Sequence, residues 1–250
     1  MPLQEELEEQ GQWLFKYRGV IPVFIFVIGF GLYVYMKYNP DKFYFEETDF
    51  ENVWFYLCFG ISLFGLMIRV ITIGATPPNT SGRNTKEQVA DTLNTKGLYS
   101  IVRHPLYLGN FFMWLGPALL LENFWFIVAF ILFYMLYYER IMFAEEQFLR
   151  RKFGELYLNW ASRTPAFIPS FKNFEKTQLI FSWKKVLKNE KTGIMLLFTI
   201  FAVMHIVGQF IQHKNLYDCF IIGLGVASIL NYIVVKIISK QTNLLNEENR

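Results

Sequence analysis

Residues 99–121 read YSIVRHPLYLGNFFMWLGPALLL, a segment in which an arginine, a histidine and a proline precede a long apolar run. Because charged side chains are costly beside lipid, their position at the edge of this run indicates a function. Pro105 suits the first turn of a helix, since the N–H that proline lacks would have no partner there. Free N–H groups and the positive end of the helix dipole would then face Arg103 and His104. The segment therefore predicts a membrane helix with a carboxylate or phosphate site at its N-terminal end.

The composition is that of an integral membrane protein. Of the 250 residues, 53% are hydrophobic and 19% aromatic, and the mean hydropathy is +0.25. A helix needs about 20 apolar residues to cross a bilayer. We therefore expect an all-α, polytopic membrane protein, a single domain over residues 1–250 with about six transmembrane helices. The six candidate segments are residues 20–38, 53–75, 106–121, 124–143, 192–212 and 216–238.

The distribution of basic residues predicts the orientation. With six spans, both termini and the long loops share one side, and only three of the 24 Lys and Arg residues fall on the other, namely Lys37, Lys42 and Lys214. Cytoplasmic loops carry the excess of Lys and Arg, so we expect both termini and the site around Arg103 and His104 to be cytoplasmic, in a bacterial inner membrane. The acidic N-terminus does not resemble a signal peptide. A net charge of +3 does not favour nucleic acid as a partner, and the two cysteines show no metal-ligand spacing.

Two further polar stretches interrupt the apolar pattern. Residues 75–97 form a loop too polar to lie in lipid, and loops of this length are functional or disordered. Residues 137–157 read YYERIMFAEEQFLRRKFGELY, and we expect residues 144–191 to be peripheral rather than spanning. Each polar cluster also has a plain structural explanation. Arg103 could reach lipid headgroups while His104 caps its helix, and Glu146 could pair with Arg150 on an ordinary helix.

Three motifs in order carry a resemblance to a known family. Residues 97–109 fit G-x-Y-x-x-x-R-H-P-x-Y-x-G, residues 145–157 fit E-E-x-x-L-x-x-x-F-G-x-x-Y, and residues 163–169 fit R-x-P-x-x-x-P. In this pattern the chain resembles the isoprenylcysteine carboxyl methyltransferase and phospholipid methyltransferase superfamily. The resemblance covers residues 53–170, the expected methyltransferase core. The first span and the terminal hairpin, residues 192–238, lie outside it.

The resemblance implies an S-adenosylmethionine-dependent methyltransferase that binds its cofactor at the cytoplasmic edge of the membrane. Carried over residue by residue, it places the cofactor contacts in the polar loop (residues 75–97), the RHP element (residues 103–105) and the glutamate pair (Glu145 and Glu146). His104 and the helix N-terminus would suit the cofactor's carboxylate, and a tyrosine could pack on its sulfonium or adenine. The implied cofactor-binding residues are Asp91, Thr92, Leu93, Asn94, Tyr99, Arg103, His104, Pro105, Leu106, Tyr107, Glu145 and Glu146.

The acceptor is less well defined by the sequence. Relatives of the prenylcysteine enzyme have a substrate-binding arginine where this chain has Ile141. We expect Arg140, with help from Arg163, to orient the acceptor instead. A lipid or lipid-anchored acceptor with an anionic group, a carboxylate or phosphate, needs no general base, whereas a phospholipid amine would have to be deprotonated. All three acceptors stay open.

Two other function classes compete with methyl transfer. Membrane sterol and steroid reductases use NADPH and have a similar RHP element, but an acidic residue usually follows it where Asn110 stands here. A transporter or scaffold would be expected to show inverted repeats or mid-membrane charge pairs, and neither is visible in the sequence. Small residues in the terminal hairpin, such as Gly208 and Gly225, could pack helices closely or mediate a homo-oligomer.

Overall fold

The computed structural model describes residues 2–39, 41, 50–77, 88–214 and 216–245. In these residues the regular structure is entirely helical, which confirms the all-α expectation. Parts of the polar loop and the acidic loop, residues 78–87 and 42–49, lie outside the described residues. The α-helices are α1 (Leu3–Lys16), α2 (Ile21–Lys37), α3 (Glu51–Gly74), α4 (Pro105–Leu119), α5 (Phe124–Phe153), α6 (Glu155–Ala161), α7 (Trp183–Ile211) and α8 (Cys219–Gln241).

The number of helices able to cross a membrane is smaller than the expected six. Among the described residues, α3, α5, α7 and α8 are long and apolar enough, and α1 with α2 form a fifth candidate that is bent by 71°. Helix α4 lies in the expected segment but has only 15 residues. At 1.5 Å per residue it is about 22 Å long, shorter than a hydrocarbon core of about 30 Å. The structure thus supports four or five spans by length.

Helix α5 is longer than predicted. It continues without a break through the glutamate pair to Phe153, so residues 144–153 belong to the same helix as the apolar segment before them. The added residues AEEQFLRRKF are mostly good helix formers. The helix ends at Gly154, whose φ of +55° lies in the left-handed region that favours glycine. Helix α7 likewise begins nine residues before the expected position, where the Ser182 hydroxyl accepts a hydrogen bond from the Lys185 N–H.

Helices α3 and α4 pack against each other through glycines. An added Cβ at Gly65 would lie less than 3 Å from the backbone of Gly109 and Met113, and one at Gly116 would meet Ser62 and the backbone of Cys58. The missing side chains let the two backbones approach closely. This contact fixes α4, and with it the RHP element, against α3.

Replacing Gly65 by alanine is expected to lower the free energy of unfolding by about 1–3 kcal/mol, because the methyl group overlaps backbone atoms that cannot move aside. Gly60→Ala is the matched control on the same helix, since its added Cβ would meet no atom of another helix within 4 Å. Thermal unfolding in detergent measures both variants. Equal unfolding temperatures for the two would contradict the close contact of α3 and α4.

Helix α1 lies along the C-terminal half of α5. Arg151 forms two hydrogen bonds to the Glu8 carboxylate, at 2.6 and 3.0 Å. Gly11 leaves room for the backbone of Arg140 and the side chain of Ala144. The bend between α1 and α2 then carries the chain past the N-terminal end of α4. The N-terminal helix is therefore part of the surroundings of the RHP element.

Candidate functional site

A cavity of about 350 Å³ lies at the N-terminal end of α4. Its wall combines the RHP element, α5, the end of α3, the α1–α2 connection and the part of the polar loop that the structure describes. Pockets for cofactors and small ligands begin at about this size. Its lining includes Arg18, Arg69, Gln88, Thr92, Leu93, Asn94, Tyr99, Arg103, His104, Leu106, Tyr107, Asn110, Tyr138, Glu145, Phe148 and Trp160.

The imidazole of His104 lies between the two glutamates of α5. Its Nε2 is 3.0 Å from Glu146 Oε1, and its Nδ1 is 3.6 Å from Glu145 Oε2. Burial opposes the charged imidazolium, but the hydrogen bonds and negative charges of Glu145 and Glu146 outweigh burial and raise the pKa of His104. A protonated His104 can donate from both nitrogens, which a neutral imidazole cannot do. His104 therefore helps to hold the glutamate pair in place, and its predicted contact with a ligand carboxylate stays a prediction.

Glu145 is fixed further by the aromatic residues around it. The Tyr107 hydroxyl donates to Glu145 Oε1 at 2.7 Å, and the Tyr134 hydroxyl donates to the carbonyl of Tyr107 at 2.7 Å. The rings of Tyr107 and Tyr138 lie 4.7 Å apart. Glu145 thus presents a carboxylate to the cavity beside tyrosine rings. Such a wall suits a ligand with a cationic and an aromatic part.

The R-x-P-x-x-x-P motif, residues 163–169, is hydrogen-bonded to the backbone of the RHP element. The backbone N–H of Arg103 donates to the carbonyl of Pro165 at 2.9 Å, and that of His104 to Ala166 at 3.2 Å. The Trp160 indole donates to the carbonyl of Tyr99 at 3.0 Å. Pro165 and Ala166 belong to the R-x-P-x-x-x-P motif, so this motif packs against the RHP element.

Most of the predicted cofactor residues meet in the cavity. Asp91, Pro105 and Glu146 do not line it: Asp91 is exposed, Pro105 is buried, and Glu146 also pairs with Arg103 Nε at 3.0 Å. Their assignment to the cofactor stays a prediction. The predicted residues that line the cavity are Thr92, Leu93, Asn94, Tyr99, Arg103, His104, Leu106, Tyr107 and Glu145.

The two arginines predicted to orient the acceptor are not among the lining residues. Arg140 Nη1 lies 3.6 Å from Glu139 on its own helix. Arg163 donates from Nε to the carbonyl of Asn159 at 3.1 Å and is exposed. The role of both residues remains a prediction.

Sequence reasoning missed a buried ion pair beside the cavity. Arg69 Nε donates to Glu190 Oε2 at 2.8 Å and Nη2 to Glu190 Oε1 at 2.5 Å, while Nη1 donates to Asn110 Oδ1 at 2.6 Å. Only 1% of the Glu190 side chain is exposed. The sequence feature that indicates such a pair is the position of Arg69 within an apolar span, because ionisable residues in membrane spans are usually paired. Its partner lies 121 residues away, in a stretch that was expected to be peripheral.

An apolar crevice adjoins the cavity. It lies among α2, α4 and α5 and is lined almost entirely by apolar and aromatic side chains. Tyr138 lines both spaces, and Phe133 in the crevice is 43% exposed, so the crevice reaches the outer surface of the helices. The lining includes Pro22, Ile25, Phe26, Phe30, Trp114, Pro117, Phe130, Phe133, Tyr134 and Tyr138.

The motifs and the cavity they form agree with a family match. Residues 55–156 match the family described as phospholipid methyltransferase. The match includes the first motif and all but the last residue of the second, and residues 55–156 are called the superfamily segment below. The superfamily segment contains all of α4 and α5 and nearly all of α3, with Arg69, His104, Glu145 and most of the cavity wall.

The chain is also similar to curated proteins of two kinds, methyltransferases and a metal-resistance protein. The chain is 38% identical over 78 residues to protein-S-isoprenylcysteine O-methyltransferase of Schizosaccharomyces pombe, covering 31% of this chain and 33% of that protein. It is 33% identical over 119 residues to protein-S-isoprenylcysteine O-methyltransferase B of Arabidopsis thaliana, covering 44% and 59%. It is also 36% identical over 102 residues to the nickel-cobalt-cadmium resistance protein NccN of Alcaligenes xylosoxydans xylosoxydans, covering 40% and 45%.

These matches span one third to about six tenths of the relatives' own lengths. No solved structure matches the chain. The described residues contain no cluster of three or more His, Cys, Asp or Glu side chains that could hold a metal ion.

Proposed function

We propose that the protein is an S-adenosylmethionine-dependent methyltransferase that acts on a lipid or lipid-anchored acceptor in the membrane. The observation that carries the proposal is the cavity in the superfamily segment, with Glu145 and tyrosine rings in its wall and an apolar crevice beside it. An anionic group on the acceptor, a carboxylate or phosphate, fits this arrangement best. The active site would face the cytoplasm of a bacterial inner membrane, as the distribution of basic residues suggests.

The residues present fit S-adenosylmethionine. Glu145 could accept hydrogen bonds from its ammonium group or ribose hydroxyls, and Tyr107 or Tyr99 could pack on the sulfonium or the adenine. Besides His104, the cavity offers Arg69 and Arg103 as donors to its carboxylate. Thr92 and Asn94 would close the site from the polar loop. When bound, the cofactor supplies a methyl group already activated on a sulfonium.

The protein's own contribution is then positioning. Holding donor and acceptor in line at near-attack distance can supply much of the acceleration of the reaction. A carboxylate or phosphate acceptor is ionised at neutral pH and gives up no proton. Both ring nitrogens of His104 are directed at carboxylates, at 3.0 and 3.6 Å, so the imidazole is poorly placed to take a proton from an amine. This favours an anionic acceptor over a phospholipid amine.

The proposal is tested with purified protein in detergent micelles. S-adenosylmethionine should raise the unfolding temperature, and NADPH, the cofactor of the alternative reductase, should not. Radiolabelled cofactor incubated with native membranes should transfer label to a lipid or lipid-anchored fraction. Stabilisation by NADPH alone would support a reductase, and absence of label from every lipid and lipopeptide would refute methyl transfer.

Two narrower assignments belong to the same proposal. The catalytic core would extend over residues 53–170, and the hairpin of α7 and α8 would be an addition to it within one membrane domain. Gly225 is one of the small residues of this hairpin, and an added Cβ there would meet Ala202. These small residues therefore already serve, in part, to pack the two helices of the hairpin against each other. A homo-oligomer would have to form through other residues of the hairpin.

A further inference from the structure

We propose that residues 168–184 form a docking surface for anionic phospholipid at the edge of the bilayer. This interfacial segment runs from the end of the R-x-P-x-x-x-P motif to the first turn of α7. Its five most exposed large apolar side chains have 59–82% of their surface exposed. The apolar residues are Ile168, Phe171, Phe174, Ile180 and Trp183, and the charged residues are Lys172, Glu175, Lys176 and Lys184. Such docking does not require methyl transfer.

One end of the interfacial segment lies level with the end of a membrane span. The backbone N–H of Ser182 donates to the carbonyl of Gly74 at 2.9 Å, and the Phe181 ring packs on Gly74, where an added Cβ would overlap it. Gly74 is the last residue of α3, whose 24 residues are about 36 Å long. A hydrocarbon core is about 30 Å thick, so the end of α3 lies at the head-group layer. Trp183 therefore lies beside lipid head groups, where tryptophan is enriched in membrane proteins.

The other end of the interfacial segment is tied to the start of α4. The backbone N–H of Ser170 donates to the carbonyl of Ile101 at 2.9 Å, four residues before α4 begins. The glycine contacts between α3 and α4 have opposite order in the two helices, so α4 begins at the edge where α3 ends. Both ends of the interfacial segment are therefore held at the same edge of the bilayer.

The composition of the interfacial segment matches a membrane surface that carries negative charge. Large apolar side chains at the head-group layer insert between lipids, and lysines beside them attract anionic lipids. Three lysines and one glutamate give the segment a net charge of +2. The lysine stems can lie along the apolar residues while their ammonium groups reach lipid phosphates. An apolar surface without these lysines would bind neutral and anionic lipids alike, so the charge selects the lipid.

Docking of the interfacial segment would also hold part of the cavity wall. The backbone N–H of Gly97 donates to the carbonyl of Glu175 at 2.8 Å, and that of Glu175 donates to Ser100 Oγ at 2.9 Å. These bonds join the segment to the 3₁₀ helix Gly97–Ser100, which includes Tyr99 in the cavity wall. Contact of the segment with lipid would therefore fix the position of Tyr99 relative to the bilayer.

Hydrogen exchange on the full chain in lipid nanodiscs locates the contact. Backbone amides of residues 171–180 should exchange about threefold or more slowly in phosphatidylglycerol discs than in phosphatidylcholine discs. Residues 147–153, near the end of α5, are the internal control and should exchange alike in both lipids. Phe171→Ser with Phe174→Ser should remove most of the difference. Both rings are exposed, so the fold should not depend on them.

Spin-labelled lipids measure the selectivity in phosphatidylcholine vesicles. Wild-type protein should bind spin-labelled phosphatidylglycerol about threefold more strongly than spin-labelled phosphatidylcholine, and salt should reduce this preference. Lys172→Gln with Lys176→Gln should remove about half of the preference or more. Replacement of both lysines by glutamate should lower it further, because like charges repel the lipid.

Arg150→Gln with Lys152→Gln is the matched control, since it removes the same charge from exposed residues. Lys152 is nine residues beyond Phe143, about 13 Å along α5, which exceeds a Debye length of about 8 Å. The control pair should keep the wild-type preference. Unfolding temperatures equal to that of the wild type show that the variants fold.

Equal exchange of residues 171–180 in the two lipids would refute the proposal, because the exposed surface would then serve another partner or bind lipid without regard to charge. A wild type that does not prefer phosphatidylglycerol would refute it as well. So would a control pair that loses as much preference as the lysine pair. None of these measurements involves methyl transfer, so failure of the proposed function is observed separately.

Discussion

Glu190→Ala is expected to lower the free energy of unfolding by about 3–5 kcal/mol, the usual cost of breaking a buried ion pair. The variant leaves the Arg69 guanidinium without the carboxylate that takes two of its hydrogen bonds. Asn110 still accepts a bond from Arg69 but carries no charge to balance it. Glu175→Ala is the control, because Glu175 is an exposed glutamate outside the helices. Denaturation in mixed micelles with rising dodecyl sulfate gives both values.

A double variant separates loss of the pair from loss of packing. Arg69→Met with Glu190→Leu removes both charges and keeps much of the apolar volume, so it should recover most of the stability lost in Glu190→Ala. Glu190 lies on α7, outside the superfamily segment, and Arg69 lies on α3, inside it. The pair therefore attaches the additional hairpin to the matched core. Equal stability of Glu190→Ala and Glu175→Ala would show that the hairpin is held by apolar packing alone.

The helices could be predicted from the sequence more easily than their ends. Long apolar segments identify membrane helices because lipid leaves the backbone no other way to satisfy its hydrogen bonds. Composition changes where lipid ends, but a helix need not end there, and α5 continues ten residues beyond Phe143 because AEEQFLRRKF also favours helix. The 15-residue α4 was predicted from its apolarity, which does not show whether a helix spans or stops short.

The candidate site could be predicted where its residues share a motif. Tyr99, His104, Tyr107 and Glu145 are in motifs, and the structure places all four at the cavity. The positions of Arg18 and Arg69 at the cavity could not be read in the same way. Both depend on how helices far apart in the chain pack together, and no local spacing records that. The contacts of His104 with Glu145 and Glu146 were not predicted either, because both carboxylates lie on another helix.

Glu145→Gln is expected to weaken binding of S-adenosylmethionine by about 10–100-fold and to reduce methyl transfer at least as much. Hydrogen bonds to a charged group contribute about 1.5–3 kcal/mol, and each 1.4 kcal/mol is a factor of ten in affinity. Glutamine keeps the size of Glu145 and can still accept from the Tyr107 hydroxyl, so the cavity should keep its shape. Calorimetric titration of the purified protein with S-adenosylmethionine measures the affinity.

Glu139→Gln is the matched control, since Glu139 lies on the same helix with 63% of its side chain exposed. It should bind the cofactor as the wild type does. Because Glu145 also helps hold His104, a loss of binding in Glu145→Gln could come from a displaced imidazole. His104→Gln separates the two causes. If Glu145 contacts the cofactor directly, its loss exceeds that of His104→Gln. If the two losses are equal, Glu145 acts through His104. If Glu145→Gln binds normally, Glu145 has no role in binding. In both cases the carboxylate that recognises the cofactor lies elsewhere in the chain.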